Sequence, residues 1–208
     1  SREHAKEPPF TRNGFITFGS FNHLIKLSRT VLALWARILA QLPDARLVLL
    51  GVPNGPPQDR LLGDFRREGI AASRITLVAP LPMNDYFPWF DAVDLALDAT
   101  PYSGGTTTCD TLWMGVPVVT VTGTRSASRS AASILTTVGL ADWIAQTPEE
   151  YVRLALSFAR DRARLAELRA SLRRRMRESP LMDEPGFARD LERAYRGMWR
   201  KWCSAADL

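Results

Sequence analysis

The strongest constraint on this chain is an alternation of short, unbroken apolar runs with amphipathic stretches. The runs are Phe15-Ile-Thr-Phe18, Arg46-Leu-Val-Leu-Leu50, Arg74-Ile-Thr-Leu-Val78, Asp94-Leu-Ala-Leu97 and Val116-Pro-Val-Val-Thr-Val121. Side chains alternate between faces along a strand, so a run apolar throughout belongs to a strand covered on both sides. Between the runs, apolar residues recur near a 3.6-residue period. Beyond Ser28, a hydroxyl suited to capping, Val31, Leu32, Leu34, Trp35, Ile38 and Leu39 make one helical face. Gln58 to Glu68 repeats the pattern with Leu61, Leu62 and Phe65 inward, and Asn84 to Phe90, Thr107 to Gly115 and Ser126 to Thr137 follow. Such strands alternating with helices imply the α/β class, a Rossmann-like parallel sheet covered by helices on both faces. A sixth short strand is expected at Trp143-Ile-Ala145.

From Thr147 the pattern becomes wholly helical. Pro148-Glu-Glu opens one helix to about Arg160, Asp161 starts a second to about Glu178, and Pro180 stops it. A last helix over Phe187 to Trp202 carries Phe187, Leu191, Tyr195 and Trp199 at spacings of four. The expected organisation is a disordered or linker segment over 1–13, a Rossmann-like domain over 14–147, and C-terminal helices over 148–208 packing on that domain. The six tryptophans sit mostly at apolar helical spacing and read as packing residues. The last helix could also expose Tyr195 and Trp199 and pair with a second copy.

Several function classes are set aside by composition. No apolar run approaches the roughly 18 residues needed to cross a bilayer, and the N-terminus has no apolar signal region, so no membrane partner is expected. The chain does not begin with Met and is expected to be part of a longer protein. Cys109 and Cys203 offer neither a disulfide framework nor zinc spacing, which fits a reducing, cytoplasmic setting. With only His4 and His23, no histidine-rich metal site is expected. The net charge of +5 invites a nucleic-acid reading. Much of that charge lies in one helical stretch, Arg160 to Arg177, without interleaved aromatics, and it reads as a solvated face; no nucleic-acid partner is expected.

The richest chemistry lies in Asp98-Ala-Thr-Pro-Tyr-Ser-Gly-Gly-Thr-Thr-Thr-Cys-Asp110, where an apolar run empties into a Gly-Thr loop that opens a helix. Glycines let backbone approach closely, the first helical N–H groups have no internal partner, and hydroxyls add donors, so the loop suits an anion. Thr107-Thr-Cys-Asp110 equally fits a Ser/Thr-x-x-acid helix cap, which needs no ligand, and sequence alone leaves both readings open. Asp98 is expected to tie the loop down. In parallel sheets ligands sit off the carboxyl ends of strands, near the switch in strand order. Gly19 to Lys26, Ala79-Pro-Leu-Pro82 and the Gly-Thr loop all fall at that edge. Lys26 is one of only three lysines, the others being Lys6 and Lys201, and its compact ammonium suits a phosphate oxygen. Asn22 and His23 precede it as structural residues or as diphosphate donors.

Phe18-Gly-Ser-Phe-Asn-His-Leu-Ile-Lys26, Thr100 to Pro117 and Ser128-Arg-Ser-Ala-Ala-Ser133 together resemble the protein O-GlcNAc transferase family, which includes SPINDLY-type and bacterial tetratricopeptide-bearing members. Ser179-Pro-Leu-Met-Asp183 and Leu191 to Trp199 resemble its closing helices, so the similarity runs from about Gly14 to Trp202. The resemblance implies the C-terminal lobe of a GT-B glycosyltransferase, with UDP-GlcNAc as donor substrate, no cofactor and no metal. It implies inverting transfer of N-acetylglucosamine to protein Ser or Thr hydroxyls, with the protein acceptor and the general base held by an upstream region. By position, Lys26 matches the catalytic lysine on the diphosphate, with Asn22 and His23 beside it. Gly104, Gly105, Thr106 and Thr107 match the phosphate loop, Asp110 the acid on the ribose, and Ala79 the start of the loop that reads uracil. Gly105 stands where animal members carry histidine, and Leu81 where they carry lysine. A different sugar, such as fucose, or a non-catalytic nucleotide-sensing module therefore remains an alternative.

Overall fold

The protein is described here by a computed structural model covering residues 7–206. In chain order its elements are α1 (Pro9–Asn13), β1 (Thr17–Ser20), α2 (Arg29–Ala40), β2 (Arg46–Leu50), α3 (Pro56–Arg67), β3 (Ile75–Val78), α4 (Met83–Tyr86) and β4 (Leu95–Leu97). There follow α5 (Thr106–Trp113), β5 (Val118–Val121), α6 (Ser130–Thr137), β6 (Ile144–Ala145), α7 (Pro148–Arg160), α8 (Arg162–Arg177) and α9 (Glu184–Ala206). Single 3-10 turns join several of them, including Leu24–Lys26 and Pro180–Met182.

All six strands are parallel, in the order β3-β2-β1-β4-β5-β6. Every residue of β1, β4 and β5 is buried. Because adjacent side chains point to opposite faces, both faces of the central sheet are covered, as the unbroken apolar runs required. The chain runs outward from β1 through β2 to β3, then returns to place β4 on the other side of β1. The switch in strand order lies between β1 and β4, where Phe18 pairs with Leu95 and Gly19 with Ala96. Close approach there depends on Gly19, since a Cβ would stand 2.6 Å from Val93 Cγ2.

The helix after Ser28 forms as its pattern demands. Ser28 Oγ accepts from Val31 N at 3.3 Å, and the whole expected apolar face of α2 is buried. Trp35 Nε1 donates to Tyr151 Oη at 3.0 Å, and that hydroxyl donates to the Asp98 carbonyl at 2.9 Å, tying α2 and α7 to the end of β4. The sixth strand exists, short as expected, at the sheet edge.

Three expectations require correction. Of the segment 1–13 expected as linker, residues 1–6 (with His4 and Lys6) lie outside the described residues, but Pro9–Asn13 is a helix with Phe10 buried. Phe10 N donates to Asp94 Oδ1 at 2.9 Å and Thr17 N donates to Oδ2 at 2.8 Å, so one buried carboxylate fastens α1 and β1 to the start of β4. Next, the arginine-rich α8 is only partly a solvated face. Arg169 is 4 % exposed, and its guanidinium donates to the carbonyls of Val93 and Phe90 at 2.8 and 3.1 Å. Finally, α7 and α8 pack on the domain but α9 does not. After the Pro180–Met182 turn the helix projects, leaving Phe187, Leu191, Tyr195, Trp199 and Trp202 exposed. Trp35 and Trp143 are core residues, whereas Trp199 and Trp202 stack on each other in the open at 5.4 Å. Among the described residues no helix is long and apolar enough to cross a membrane.

Candidate functional site

The loop after β1 is anchored by Phe21, whose ring stacks on Phe90 at 3.9 Å and meets the edge of Tyr86 at 6.1 Å. The next two residues diverge. Asn22 is buried, while His23 is exposed and its Nδ1 accepts from Ile25 N at 3.3 Å, capping the short turn that carries Lys26. That bond leaves Nε2 as the ring nitrogen able to donate. Lys26 Nζ donates to Ser103 O at 2.9 Å and to Asn22 Oδ1 at 3.3 Å, and lies 4.3 Å over the Tyr102 ring. The ammonium from one side of the switch point is thus held against the loop from the other.

The loop after β4 is organised by Asp98. Its Oδ1 accepts from Ala99 N at 2.9 Å, Gly104 N at 2.8 Å and Asn22 Nδ2 at 3.1 Å, and its Oδ2 from Thr120 Oγ1 at 2.7 Å. Burial pushes this carboxyl upward in pKa, while all four hydrogen bonds favour its charged form. Ser103 adds a second tie, its N and Oγ both donating to Ala127 O at 3.0 and 3.1 Å.

The loop then delivers α5 with its amino end open. The Thr-x-x-Asp cap, one of the two readings that the sequence leaves open, does not form, because the helix begins at Thr106 and its N-cap, Gly105, has no side chain to accept with. Gly105 O accepts from Thr108 N and Cys109 N at 3.0 and 3.1 Å. The N–H groups of Thr106 and Thr107 fall among the orphan donors of a helix start, where the dipole favours an anion. Burial raises the Cys109 thiol's pKa, with Asp110 adding to it, so this cysteine is held in its unreactive form.

Beside this end opens a cleft of about 390 Å³. It is walled from three loops and a helix: His23 after β1, Gly51 after β2, Ala79 and Leu81 after β3, and Thr107 and Asp110 on α5. Burial raises the pKa of the Asp110 carboxyl, and burial together with Asp110 raises that of the Tyr86 phenol, so Tyr86 remains a donor beside a carboxylate. The structure therefore brings His23, Ala79, Thr107 and Asp110 onto one cleft. Lys26, Gly104, Gly105 and Thr106 do not wall it but adjoin it, joined through Thr107 Oγ1, which donates to Asn22 Oδ1 at 3.4 Å. Asn22 lies behind the rim. Sequence reasoning missed Leu50, Gly51 and Tyr86 as cleft residues; a glycine ending a buried strand was the available signal for Gly51. No cluster of three or more His, Cys, Asp or Glu residues arranged to hold a metal occurs among the described residues.

This geometry suits a ligand with an anionic group at the α5 end and a polar ring or hydroxyl group near Asp110. Comparison with known proteins identifies the family. The sequence profile of glycosyl transferase family 41 matches residues 9–191. A probable UDP-N-acetylglucosamine–peptide N-acetylglucosaminyltransferase SPINDLY of Petunia hybrida is 43% identical over 198 residues, which are 94% of this chain and 21% of that protein. The UDP-N-acetylglucosamine–peptide N-acetylglucosaminyltransferase of Caenorhabditis elegans is 30% identical over 193 residues, 93% of this chain and 17% of its own length. Among solved structures, a mutant O-GlcNAc transferase of Thermobaculum terrenum superposes with a TM-score of 0.88 at 41% identity, covering 99% of this chain and 40% of that one. Anabaena Alr3699/HepE, solved with UDP and glucose, shares the fold at a TM-score of 0.60 and 18% identity, over 88% of this chain and 50% of its own. The chain spans about a fifth of the length of the curated relatives it matches.

Proposed function

The chain belongs to glycosyl transferase family 41, and from that premise we propose that it is the nucleotide-sugar-binding lobe of an O-GlcNAc transferase-type enzyme. The donor is UDP-GlcNAc and the acceptor a protein Ser or Thr hydroxyl. The observation that carries the reading is the meeting of Lys26 with the open end of α5 across the β1/β4 switch point, beside a cleft closed by Asp110. In this reading the diphosphate lies against Thr106 and Thr107 and the Lys26 ammonium, the ribose against Asp110, and the base against the Ala79 loop.

The reaction follows from charge. The acceptor oxygen attacks the anomeric carbon from the side opposite the diphosphate, with inversion, and its proton passes to a base upstream of this chain. The bond from anomeric carbon to phosphate oxygen breaks, and its electron pair leaves with UDP. Negative charge grows on that oxygen as the bond lengthens. Lys26 and the helix-start amides are already ordered around it, so they stabilise the transition state more than the ground state. No metal is required for this step, because the ammonium and amides supply the positive potential. Free cysteines at positions 109 and 203 support a cytoplasmic setting.

Calorimetric titration with UDP, GDP and UDP-GlcNAc tests the reading. UDP is expected to bind more tightly than GDP, and Lys26→Ala to weaken UDP by about tenfold or more, since a hydrogen bond to a charged group contributes roughly 1.5–3 kcal/mol. A folded chain that binds no UDP at about 1 mM, where affinity is only ~4 kcal/mol, would remove the proposal. GDP binding ahead of UDP would redirect it to another sugar nucleotide.

A further inference from the structure

Resting on the donor-lobe reading, the aim of the Lys26 ammonium depends on the side chain beside it. Asn22 is 5 % exposed, and its side chain spans the gap between a buried carboxylate and the cleft rim. Nδ2 donates to Asp98 Oδ1, while Oδ1 accepts from Lys26 Nζ and Thr107 Oγ1. The amide has only one workable orientation. Turned over, it would set its oxygen against the Asp98 carboxylate and its NH₂ against the Lys26 ammonium, two repulsions in place of two attractions. Asp98 is itself immobile, since Ala99 N, Gly104 N and Thr120 Oγ1 hold it from three further directions.

We propose that Asn22 is a positioning residue rather than a diphosphate donor. Anchored on Asp98, it holds the Lys26 ammonium and the Thr107 hydroxyl together as a preformed diphosphate clamp. A lysine side chain left free would have to be ordered when ligand arrives. Here much of that ordering is complete beforehand, as is the mutual placement of ammonium and α5. The same carboxylate fixes Gly104, so the loop backbone and the lysine share one reference point.

The test is a double-mutant cycle read by UDP titration of the 208-residue chain: wild type, Asn22→Ala, Lys26→Ala and both together. Asn22→Ala is expected to weaken UDP about fivefold beside an intact Lys26 and less than about twofold beside Lys26→Ala, because residues acting as one unit are not additive. Equal losses in both backgrounds would mean a general structural role and would overturn the proposal. A second measurement needs no nucleotide. With lysines only at 6, 26 and 201, the Lys26 Nζ resonance can be followed in a chain ¹⁵N-labelled at lysine and assigned with Lys26→Arg. Asn22→Ala and Asp98→Asn should each shift it, whereas an unmoved resonance in folded Asn22→Ala would sink the clamp. A wild-type chain that binds no UDP yet shows this shift would count against the donor-lobe reading while supporting Asn22 as the residue that positions Lys26.

Discussion

At Gly104 a Cβ would run into Thr108 Oγ1 and come within 3.1 Å of Asp98 Oδ1, whereas at Gly105 it would meet nothing within 4 Å. Two adjacent glycines in one motif thus differ in what they do. Gly104 lets the loop backbone reach the buried carboxylate; Gly105 leaves open space where animal family members carry histidine. Gly104→Ala should therefore destabilise the chain by about 1–3 kcal/mol, as overpacking a tight site does, and weaken UDP along with it. Gly105→Ala should cost less than about 1 kcal/mol. Thermal unfolding of the two variants side by side checks this, and equal losses would contradict it. The motif was legible in the sequence because it joins a strand end to a helix start. The orientation of Asn22 was not, because its partner lies 76 residues away in Asp98.

At the scale of the element, α5 and α9 make a useful contrast. The cap pattern at α5 competed with an anion site in the sequence, and the structure decides against the cap because the helix starts two residues earlier than a Thr107 cap requires. The helical period of α9 was plain, but period alone says which face is apolar and not what covers it. With Phe187, Tyr195, Met198, Trp199 and Trp202 each more than half exposed, α9 contributes little to the domain. A chain ending at Asp183 should keep its unfolding free energy within about 0.5 kcal/mol of the full chain, the range usual for surface changes. Urea titration of the two chains measures it, and a loss of several kcal/mol would show that the helix does pack.

At the scale of the whole molecule, buried carboxylates set the response to acid. Asp94, which fastens α1 and β1 to β4, has its pKa pushed up to about 6 by burial, against two backbone hydrogen bonds and the nearby guanidinium of Arg169. A folded-state value above the unfolded 3.8 means that the folded chain holds the proton more tightly between those limits. This group therefore opposes stability at pH 7, and its contribution becomes more favourable as pH falls through about 6 toward 4. The stability of wild type relative to Asp94→Asn should rise over that interval by up to about 3 kcal/mol. Thermal melts of both proteins from pH 7 to pH 4 give the difference directly, and a difference that shrinks with falling pH would refute the assignment.

By itself the sequence determined the layered α/β fold, the strands and their order along the chain, and the Gly-Thr loop as an anion-binding candidate. Those properties depend on local periodicity and on residue types adjacent in sequence, where side-chain alternation and the helical repeat act over a few residues. Only the tertiary structure decided which contacts close the site. Lys26 meets Ser103 and Asp94 meets Phe10 across 77 and 84 residues, and α1 folds onto the sheet through that second bond. Arg169 turns inward to donate to the Val93 carbonyl and to the Phe90 carbonyl just before β4, contacts that its own arginine-rich neighbourhood does not reveal. Hydrogen bonds over such separations are set by how packed elements meet, and no local pattern records them.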